Sequence, residues 1–300
     1  MKNPPVELAE GLPDARRSTA ISDYISLTKP RLNLLVVLTS AAGYYLGVTG
    51  PLDLVELAQA VAGTALVAGG SAVLNQVYER DTDARMRRTR LRPLPDQRVA
   101  APEATAYGVV LSVAGLATLA VSTNWVAAAL ALATLALYLA VYTPMKRTSN
   151  LSTLVGAVPG ALPAVIGWSA ARGDIAIGGW TLFAIVFLWQ IPHFMAIAWM
   201  YRDDYRAAGF PMLPVVEPDG LRTGQQALLY SAALLPVSIG PSVVGIAGWA
   251  YFWLALVLGI ALLILSARFA RSRTDKSARE LFFASIIYLP LIWAVMVLDH

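Results

Sequence analysis

The sequence predicts an all-α polytopic membrane protein, and its composition gives the first evidence for this fold class. Of the 300 residues, 57% are hydrophobic and only 14% are charged, and the mean hydropathy is +0.59. About a quarter of the residues of a soluble domain are charged. This chain therefore has too few charges to cover a surface that faces water, and we expect most of its surface to contact the lipid bilayer, where helices satisfy their own backbone groups.

The second observation is the length of the apolar runs. A membrane-spanning helix needs about 20 mostly apolar residues. Proline interrupts the fifth and sixth runs, which is compatible either with broken helices that line a cavity or with ordinary kinks. We expect a bundle of nine transmembrane helices, at approximately 32–48, 54–74, 104–122, 125–143, 151–169, 179–200, 226–247, 249–267 and 281–298.

The third observation is the one-sided distribution of basic residues. All but one of the 23 Lys and Arg residues lie before the first span or in the loops after the second, fourth, sixth and eighth spans, and the exception is Arg172. Loops rich in Lys and Arg stay in the cytoplasm. The N-terminus is therefore predicted to be cytoplasmic and the C-terminus external. Membrane topology also accounts for the net charge of +4, so nucleic acid is not an expected partner.

Two regions are expected along the chain, a cytoplasmic N-terminal segment at 1–30 and a single nine-helix domain at 31–300. The first region contains acidic residues and no apolar core, so we expect neither a signal peptide nor a transit peptide. A bacterial plasma membrane is the expected setting. The chain has no cysteine and two histidines, which excludes thiolate metal sites and a histidine cage.

The first polar cluster follows the second span. Asn75, Glu79 and Asp83 are spaced four residues apart, so they share one face if the helix continues. Oxygen ligands at a membrane boundary suit Mg²⁺, which bridges carboxylates to substrate phosphates. Asp81 would lie nearly opposite and could join only if the helix ended before it. The alternative is a solvated loop whose acids balance its arginines.

Cations are the second feature of the loops that are predicted to be cytoplasmic. Arg88 and Arg92 follow the acidic stripe, and Lys146 and Arg147 follow Tyr142 at the end of the fourth span. Arginine in particular makes bidentate contacts with phosphate oxygens. These residues are candidates for binding a diphosphate, although cations that only fix the topology would look the same.

The third cluster belongs to the sixth span and the loop after it. A histidine within an apolar span is a functional candidate by default, whereas the alternative is a buried imidazole satisfied by a carbonyl group. The acidic pair could complete a site for a metal diphosphate, where cations stabilise a departing anion. The cluster consists of Trp189, Gln190, His193, Asp203, Asp204 and Tyr205.

Four motifs together resemble those of the UbiA-type intramembrane prenyltransferases, and most closely their haem-farnesylating branch. Each is weak alone, but together they cover all three polar loops, and the nine-span layout covers nearly the whole chain. Asp203 and Asp204 are adjacent, whereas the broader family usually has two aspartates four residues apart. The motifs begin at Asn75, Tyr142, Trp189 and Asp204 and read NQxxExDxDAxMxRTxxRPL, YTxxKR, WQxPHF and DYxxAGxxML.

The resemblance implies a reaction and a division of roles. A farnesyl group would pass from farnesyl diphosphate to a vinyl group of haem B, giving haem O, with Mg²⁺ as the metal and haem A synthase or a terminal oxidase as a possible partner. His193 could contact the haem iron or a propionate. The implied catalytic residues are Asn75, Glu79, Asp83, Asp204 and Lys146, and the four oxygen-bearing ones would hold the metal; the implied substrate-binding residues are Arg88, Arg92, Tyr142, Arg147, Trp189, Gln190, His193, Asp203 and Tyr205.

Two other functions remain open at this stage. A prenyltransferase of the same type could use an aromatic quinone precursor as its acceptor. A transporter could also carry intramembrane charges and broken helices, but transporters often show paired repeats with sites near the midplane. Here the polar clusters lie at one face, and no internal repeat is evident.

Overall fold

The computed structural model describes residues 19–300, and every regular element in that range is helical. Residues 1–18, most of the predicted N-terminal segment, lie outside the described range. The helices are α1 (Ala20–Leu27), α2 (Pro30–Gly47), α3 (Leu54–Asp83), α4 (Ala101–Ser122), α5 (Trp125–Ala136), a π-helical turn (Leu137–Tyr142), α6 (Thr143–Met145), α7 (Ser152–Arg172), α8 (Ile177–Met200), α9 (Arg202–Ala208), α10 (Leu213–Val216), α11 (Leu221–Ser238), α12 (Gly240–Val243), α13 (Trp249–Ser272) and α14 (Asp275–Leu298).

The all-α polytopic class is confirmed, but the count of nine spans needs a correction. Within residues 19–300, eight helices are long and apolar enough to cross a membrane. The first predicted span corresponds to α2, which has 18 residues and is not among the eight. Its first turn contains Pro30, Arg31 and Asn33, and these residues lower its mean hydropathy.

α3 is longer than its apolar run. The predicted span ended at residue 74, whereas the helix continues without interruption to Asp83. The last turns therefore carry the acidic stripe on regular helix, as the spacing predicts. Asp53 caps the start of this helix by accepting hydrogen bonds from the N–H groups of Val55 and Glu56.

Proline does not break the two central helices. α7 runs through Pro159 and Pro163, and α8 runs through Pro192. Of the two readings that the sequence left open, broken helices and ordinary proline kinks, the continuous helices exclude the first. Both helices are buried against neighbours over more of their length than most other spans, and neighbouring helices are what allow proline within a membrane helix.

The largest apolar core lies among α2, α7, α8, α11, α13 and α14, and a second core joins α3, α4 and α5 to α2 and α7. α2 and α7 approach each other through glycine. A Cβ atom at Gly167 would collide with the carbonyl oxygen of Ser40, and one at Gly43 would collide with that of Ala164. Small residues that allow close backbone approach are typical of packed membrane helices.

One end of the bundle collects the polar loops. We call it the basic end; it is formed by loops 84–100, 146–151 and 201–220. α1 packs there through Leu27, which shares an apolar cluster with Val73 of α3, and Asp23 forms an ion pair with Arg98 of the first loop. Two of the loops are joined by an apolar cluster that contains Met86 of the first and Phe210 of the third. The basic end is therefore a folded cap over the helices.

The α2–α7 contact gives a testable prediction. Gly167→Ala should lower the free energy of unfolding by about 1–3 kcal/mol, because the added methyl group has no space against the backbone of Ser40. Gly50→Ala is the matched control, since nothing lies within 4 Å of a Cβ atom there. Thermal unfolding in detergent measures both, and equal melting temperatures for the two variants would contradict the packing described.

Candidate active site

Three polar side chains of α3 form one buried stripe at the basic end. Asn75 is 2% exposed, Glu79 is 4% exposed and Asp83 is 1% exposed. Asp81, two residues before Asp83, lies on the opposite side with its side chain 78% exposed, and pairs with its neighbour Arg80. The structure therefore separates Asp81 from the stripe, because the helix does not end before it.

Glu79 is paired with Lys146. The Lys146 ammonium donates a hydrogen bond to Glu79 Oε1 over 2.7 Å. Its Nζ also lies 5.5 Å from the ring centroid of Tyr142 and 5.1 Å from that of Phe210. Burial alone would lower the pKa of Lys146, but the neighbouring Tyr142 and Glu79 raise it above its ordinary value. Lys146 therefore stays a cation.

Only one of the two carboxylate oxygens of Asp83 has a hydrogen-bond partner among the described residues. Its Oδ2 accepts a hydrogen bond from the Arg92 guanidinium over 2.7 Å. Its Oδ1 is buried and has no hydrogen-bond partner among the described residues. A buried carboxylate oxygen without a partner is costly, so this atom is a candidate ligand for a cation.

Asn75 is held from both sides. Its Oδ1 accepts a hydrogen bond from Lys29 Nζ over 3.2 Å, and its Nδ2 donates to Thr143 Oγ1 over the same distance. Thr143 in turn donates to the carbonyl oxygen of Tyr138 over 2.7 Å. These bonds fix the amide so that its oxygen faces the cation of Lys29.

Lys29 is a site residue that the sequence did not single out. It is the residue before Pro30, which starts α2, and it adopts a left-handed backbone conformation with φ of 50°. That conformation costs about 1–2 kcal/mol for a residue with a Cβ atom, and strain of this kind concentrates at functional positions. Burial, helped by the charge of Arg92, lowers the pKa of Lys29 to about 8. The only sequence feature that could have indicated it is a lysine directly before the helix-starting proline.

The π-helical turn Leu137–Tyr142 positions the residues that face α3. It links α5 to α6 without a break, and both Tyr138 and Tyr142 belong to it. Their rings lie 5.3 Å apart. π-helical turns inside α-helices occur frequently at functional sites, and this one ends four residues before Lys146.

The third cluster reaches the site from the loop after α8. Tyr205 packs edge-on against Phe210, and the Arg88 guanidinium lies 4.9 Å from the Tyr201 ring and 5.9 Å from the Tyr205 ring. Asp204 is half-buried and forms no hydrogen bond or ion pair with another residue of the range 19–300. The first and third loops therefore close on each other beside the carboxylate stripe.

Three other candidates contact something other than the stripe. Arg147 donates to the Tyr78 carbonyl oxygen over 3.0 Å. Asp203 is 80% exposed and pairs with Arg206. Gln190 points to α7, where its Nε2 donates to the Ala157 carbonyl oxygen over 3.1 Å.

His193 and Trp189 lie deeper in α8 and contact α14. The His193 ring is stacked between Trp189 and Phe282, with centroid distances of 5.0 Å and 5.1 Å. His193 Nδ1 lies 2.8 Å from Ser285 Oγ, and Trp189 Nε1 donates to the Ser285 carbonyl oxygen over 2.8 Å. Ser285 is a second residue that sequence reasoning missed; a serine within an apolar span was its only indication.

A metal ion would have few protein ligands here. In the part of the chain that the structure describes, no three acidic or imidazole side chains are arranged to hold one. Mg²⁺ usually uses one or two carboxylates together with substrate phosphates. The partnerless Oδ1 of Asp83 and a carboxylate oxygen of Glu79 are candidate ligands of that kind.

The sequence pattern of the UbiA prenyltransferase family matches residues 36–287. The chain belongs to the UbiA prenyltransferase family. It is accordingly a prenyltransferase and an integral membrane protein. A protein of Solibacter usitatus named protoheme IX farnesyltransferase is 47% identical over 287 residues, covering 93% of this chain and 98% of its own. A protein of Opitutus terrae with the same name is 47% identical over 280 residues, covering 93% and 95%.

The fold of a solved structure agrees with this membership. A UbiA homologue from Archaeoglobus fulgidus, bound to GPP and Mg²⁺, matches with a TM-score of 0.68 at 20% identity. The match covers 92% of this chain and 99% of that one. At this identity the likeness concerns the fold, which has the same helical architecture over nearly the whole chain.

The position of Lys29 gives a testable prediction. Lys29→Met should lower kcat/KM for the prenyl diphosphate by about 10–100-fold. The variant would lose a charge-assisted hydrogen bond from the Lys29 ammonium to the diphosphate, and such a bond contributes about 1.5–3 kcal/mol. Lys29→Arg keeps the charge and should recover most of the loss. Initial rates at varied concentrations of the prenyl diphosphate measure the effect, and an unchanged kcat/KM in Lys29→Met would contradict a role of the lysine charge in binding the diphosphate.

Proposed function

We propose that the chain transfers the farnesyl group of farnesyl diphosphate to a vinyl group of haem B, giving haem O and diphosphate. The observation that carries this proposal is the 47% identity to relatives named protoheme IX farnesyltransferase over 93% of the chain. The cations, carboxylates and aromatic rings at the basic end supply the chemistry that such a transfer needs.

The cations at the basic end would bind the diphosphate. Lys29, Arg92 and Lys146 converge on α3, where each contacts one member of the stripe. When an allylic diphosphate ionises, the electron pair of its C–O bond leaves with the diphosphate. Fixed cations in a site that excludes water stabilise that developing charge without further reorganisation.

Asp83, Glu79 and Asn75 would hold Mg²⁺ in this proposal, with Asp204 as an outer partner. The metal would supply Lewis-acid stabilisation of the diphosphate oxygens. Arg92 is paired with Asp83 and Lys146 with Glu79 in this structure. A metal ion that bound the two carboxylates would take the place of these two cations. Both cations can turn to the diphosphate when another positive charge neutralises the acids.

The prenyl chain needs an apolar environment, and a groove of the bundle would provide one. A groove of ≈ 420 Å³ lies between α2 and α14, lined by Leu35, Leu38, Thr39, Ala42, Pro290, Trp293, Ala294, Val297 and Leu298. It begins at Pro290, about 7.5 Å along α14 from Ser285. A farnesyl tail is wholly apolar, so its transfer from water to such a lining lowers the free energy.

Carbon–carbon bond formation completes the proposed transfer. The π electrons of the haem vinyl group attack the first farnesyl carbon, which leaves a cation on the carbon next to the porphyrin. Water adds to that carbon and loses a proton, giving a hydroxyethylfarnesyl side chain. The aromatic rings of Tyr142 and Phe210, close to Lys146, would line the apolar side of the diphosphate site and limit entry of water before the bond forms.

The bacterial plasma membrane is the proposed setting, with the basic end in the cytoplasm. The one-sided distribution of Lys and Arg supports this orientation. This orientation also requires that α2 crosses the membrane, and the 18 residues of α2 extend over about 27 Å. Residues 31–300 would then act as a single catalytic domain, and haem O would pass to haem A synthase or a terminal oxidase.

The test of the reaction uses membranes that contain the protein, haem B and farnesyl diphosphate, with and without Mg²⁺. We expect haem O, identified by mass spectrometry, only when the metal is present. A phenolic acid is supplied in parallel as the acceptor. Farnesylation of the phenolic acid without formation of haem O would contradict the haem assignment and favour a quinone precursor.

The separation of Asp81 from Asp83 gives a matched pair of variants. Asp83→Asn removes the charge of the buried oxygen and should lower turnover by about 100-fold or more. Asp81→Asn changes an exposed carboxylate two residues away and should keep nearly full activity. Protein amount and helicity are compared in the same membranes, and comparable losses in both variants would contradict the assignment of the stripe as the metal site.

A further inference from the structure

The hydrogen bonds around His193 determine which of its ring nitrogens carries the proton. Ser285 Oγ lies 2.7 Å from the Phe282 carbonyl oxygen and donates its one proton there. The same oxygen lies 2.8 Å from His193 Nδ1. Because the serine proton is already used, Nδ1 must be the donor of that second bond. The neutral imidazole is therefore the Nδ1–H tautomer.

This tautomer leaves a lone pair on Nε2. No residue of the range 19–300 forms a hydrogen bond with Nε2, and this atom is not among the buried partnerless atoms. It therefore keeps accessible surface. A nitrogen of this kind accepts a proton or binds a metal, but it has no hydrogen to donate to a carboxylate such as a haem propionate.

The neighbouring rings restrict how Nε2 can be approached. Trp189 and Phe282 cover the two faces of the imidazole at 5.0 Å and 5.1 Å, with interplanar angles of 19° and 23°. The Phe194 ring lies 5.6 Å away at an angle of 56°, so a ligand can approach only along the remaining edge of the imidazole, where the Nε2 lone pair lies. An axial ligand of a haem iron presents its nitrogen in this way, with the imidazole plane held by a hydrogen bond at the other nitrogen.

We infer that His193 Nε2 is an axial ligand of the haem acceptor's iron and that Ser285 is the positioning residue that sets its tautomer. This rests on the proposed function. His193 lies seven residues before the end of α8 at Met200, about 10 Å from the basic end. An iron held at this depth would let the edge of the porphyrin, which carries the vinyl groups, extend toward the basic end.

Absorption spectroscopy of the purified full chain tests this inference. Ferric haem added to the wild type should give the Soret band of a histidine-coordinated iron, and His193→Ala should lose that band. Imidazole added to the His193→Ala protein should restore it. His300→Ala removes the other histidine of the chain and should leave the spectrum unchanged. Ser285→Ala should weaken haem binding by about 10–100-fold, as loss of a partner behind a metal ligand does, and Ser285→Thr should bind normally.

Metal-free protoporphyrin IX separates iron ligation from a merely structural role. It should bind equally to the wild type and to His193→Ala, because it has no iron to coordinate. Unchanged haem affinity and an unchanged Soret band in His193→Ala would overturn the inference. This holds even if turnover fell, since the imidazole would then take part in the reaction without binding the iron. If the wild type made haem O although His193→Ala kept its haem affinity and Soret band, the proposed function would stand and only the axial-ligand inference would fall. A wild type that bound no porphyrin and made no haem O would overturn both.

Discussion

Two carboxylates are buried at the end of α3, and their neutralisation organises the basic end. An unpaired charge in such a place costs several kcal/mol, so Glu79 and Asp83 each need a cation. Lys146 comes from the segment after the π-helical turn, and Arg92 comes from the loop after α3. Each pairing brings a separate part of the chain to the same helix. The resulting cap places Lys146 and Arg92 on the helix whose Asn75 contacts Lys29, and in the proposed function these three cations would bind the diphosphate.

The Glu79–Lys146 and Asp83–Arg92 ion pairs also bear on how a metal ion and a diphosphate would bind. The acids would repel a diphosphate if they were left alone, and the cations would repel a metal ion. In the present structure their charges cancel in pairs, and in the proposed function a metal diphosphate would exchange partners with each pair at little net cost in charge. Such an exchange would begin at Oδ1 of Asp83, a buried carboxylate oxygen that no side chain of residues 19–300 satisfies.

Sequence reasoning found the helical class, the approximate bounds of the spans and the carboxylate stripe, because hydropathy and a spacing of four residues are local properties. It did not find Lys29 or Ser285, whose roles depend on contacts with residues far along the chain. It also could not show that the Gln190 side chain donates a hydrogen bond to α7, and the role of Gln190 in substrate binding stays a prediction. The rotation of a nearly all-apolar helix is set by packing, and its sequence contains little information about it. α2 was counted as a ninth span, but Pro30, Arg31 and Asn33 at its start lower its mean hydropathy, and it is not among the eight apolar helices of the described residues.

The π-helical turn has a consequence for how this region tolerates change. A π-helical turn accommodates one residue more than the α-helix would at the same position. Loss of a single residue between 137 and 142 would restore regular α-helix and rotate everything after it by about 100°. Lys146 would then swing away from Glu79, although every side chain of the site was retained. In this segment the number of residues is under stricter constraint than their identity, so a length difference between relatives here would be a more informative sign of altered chemistry than any substitution.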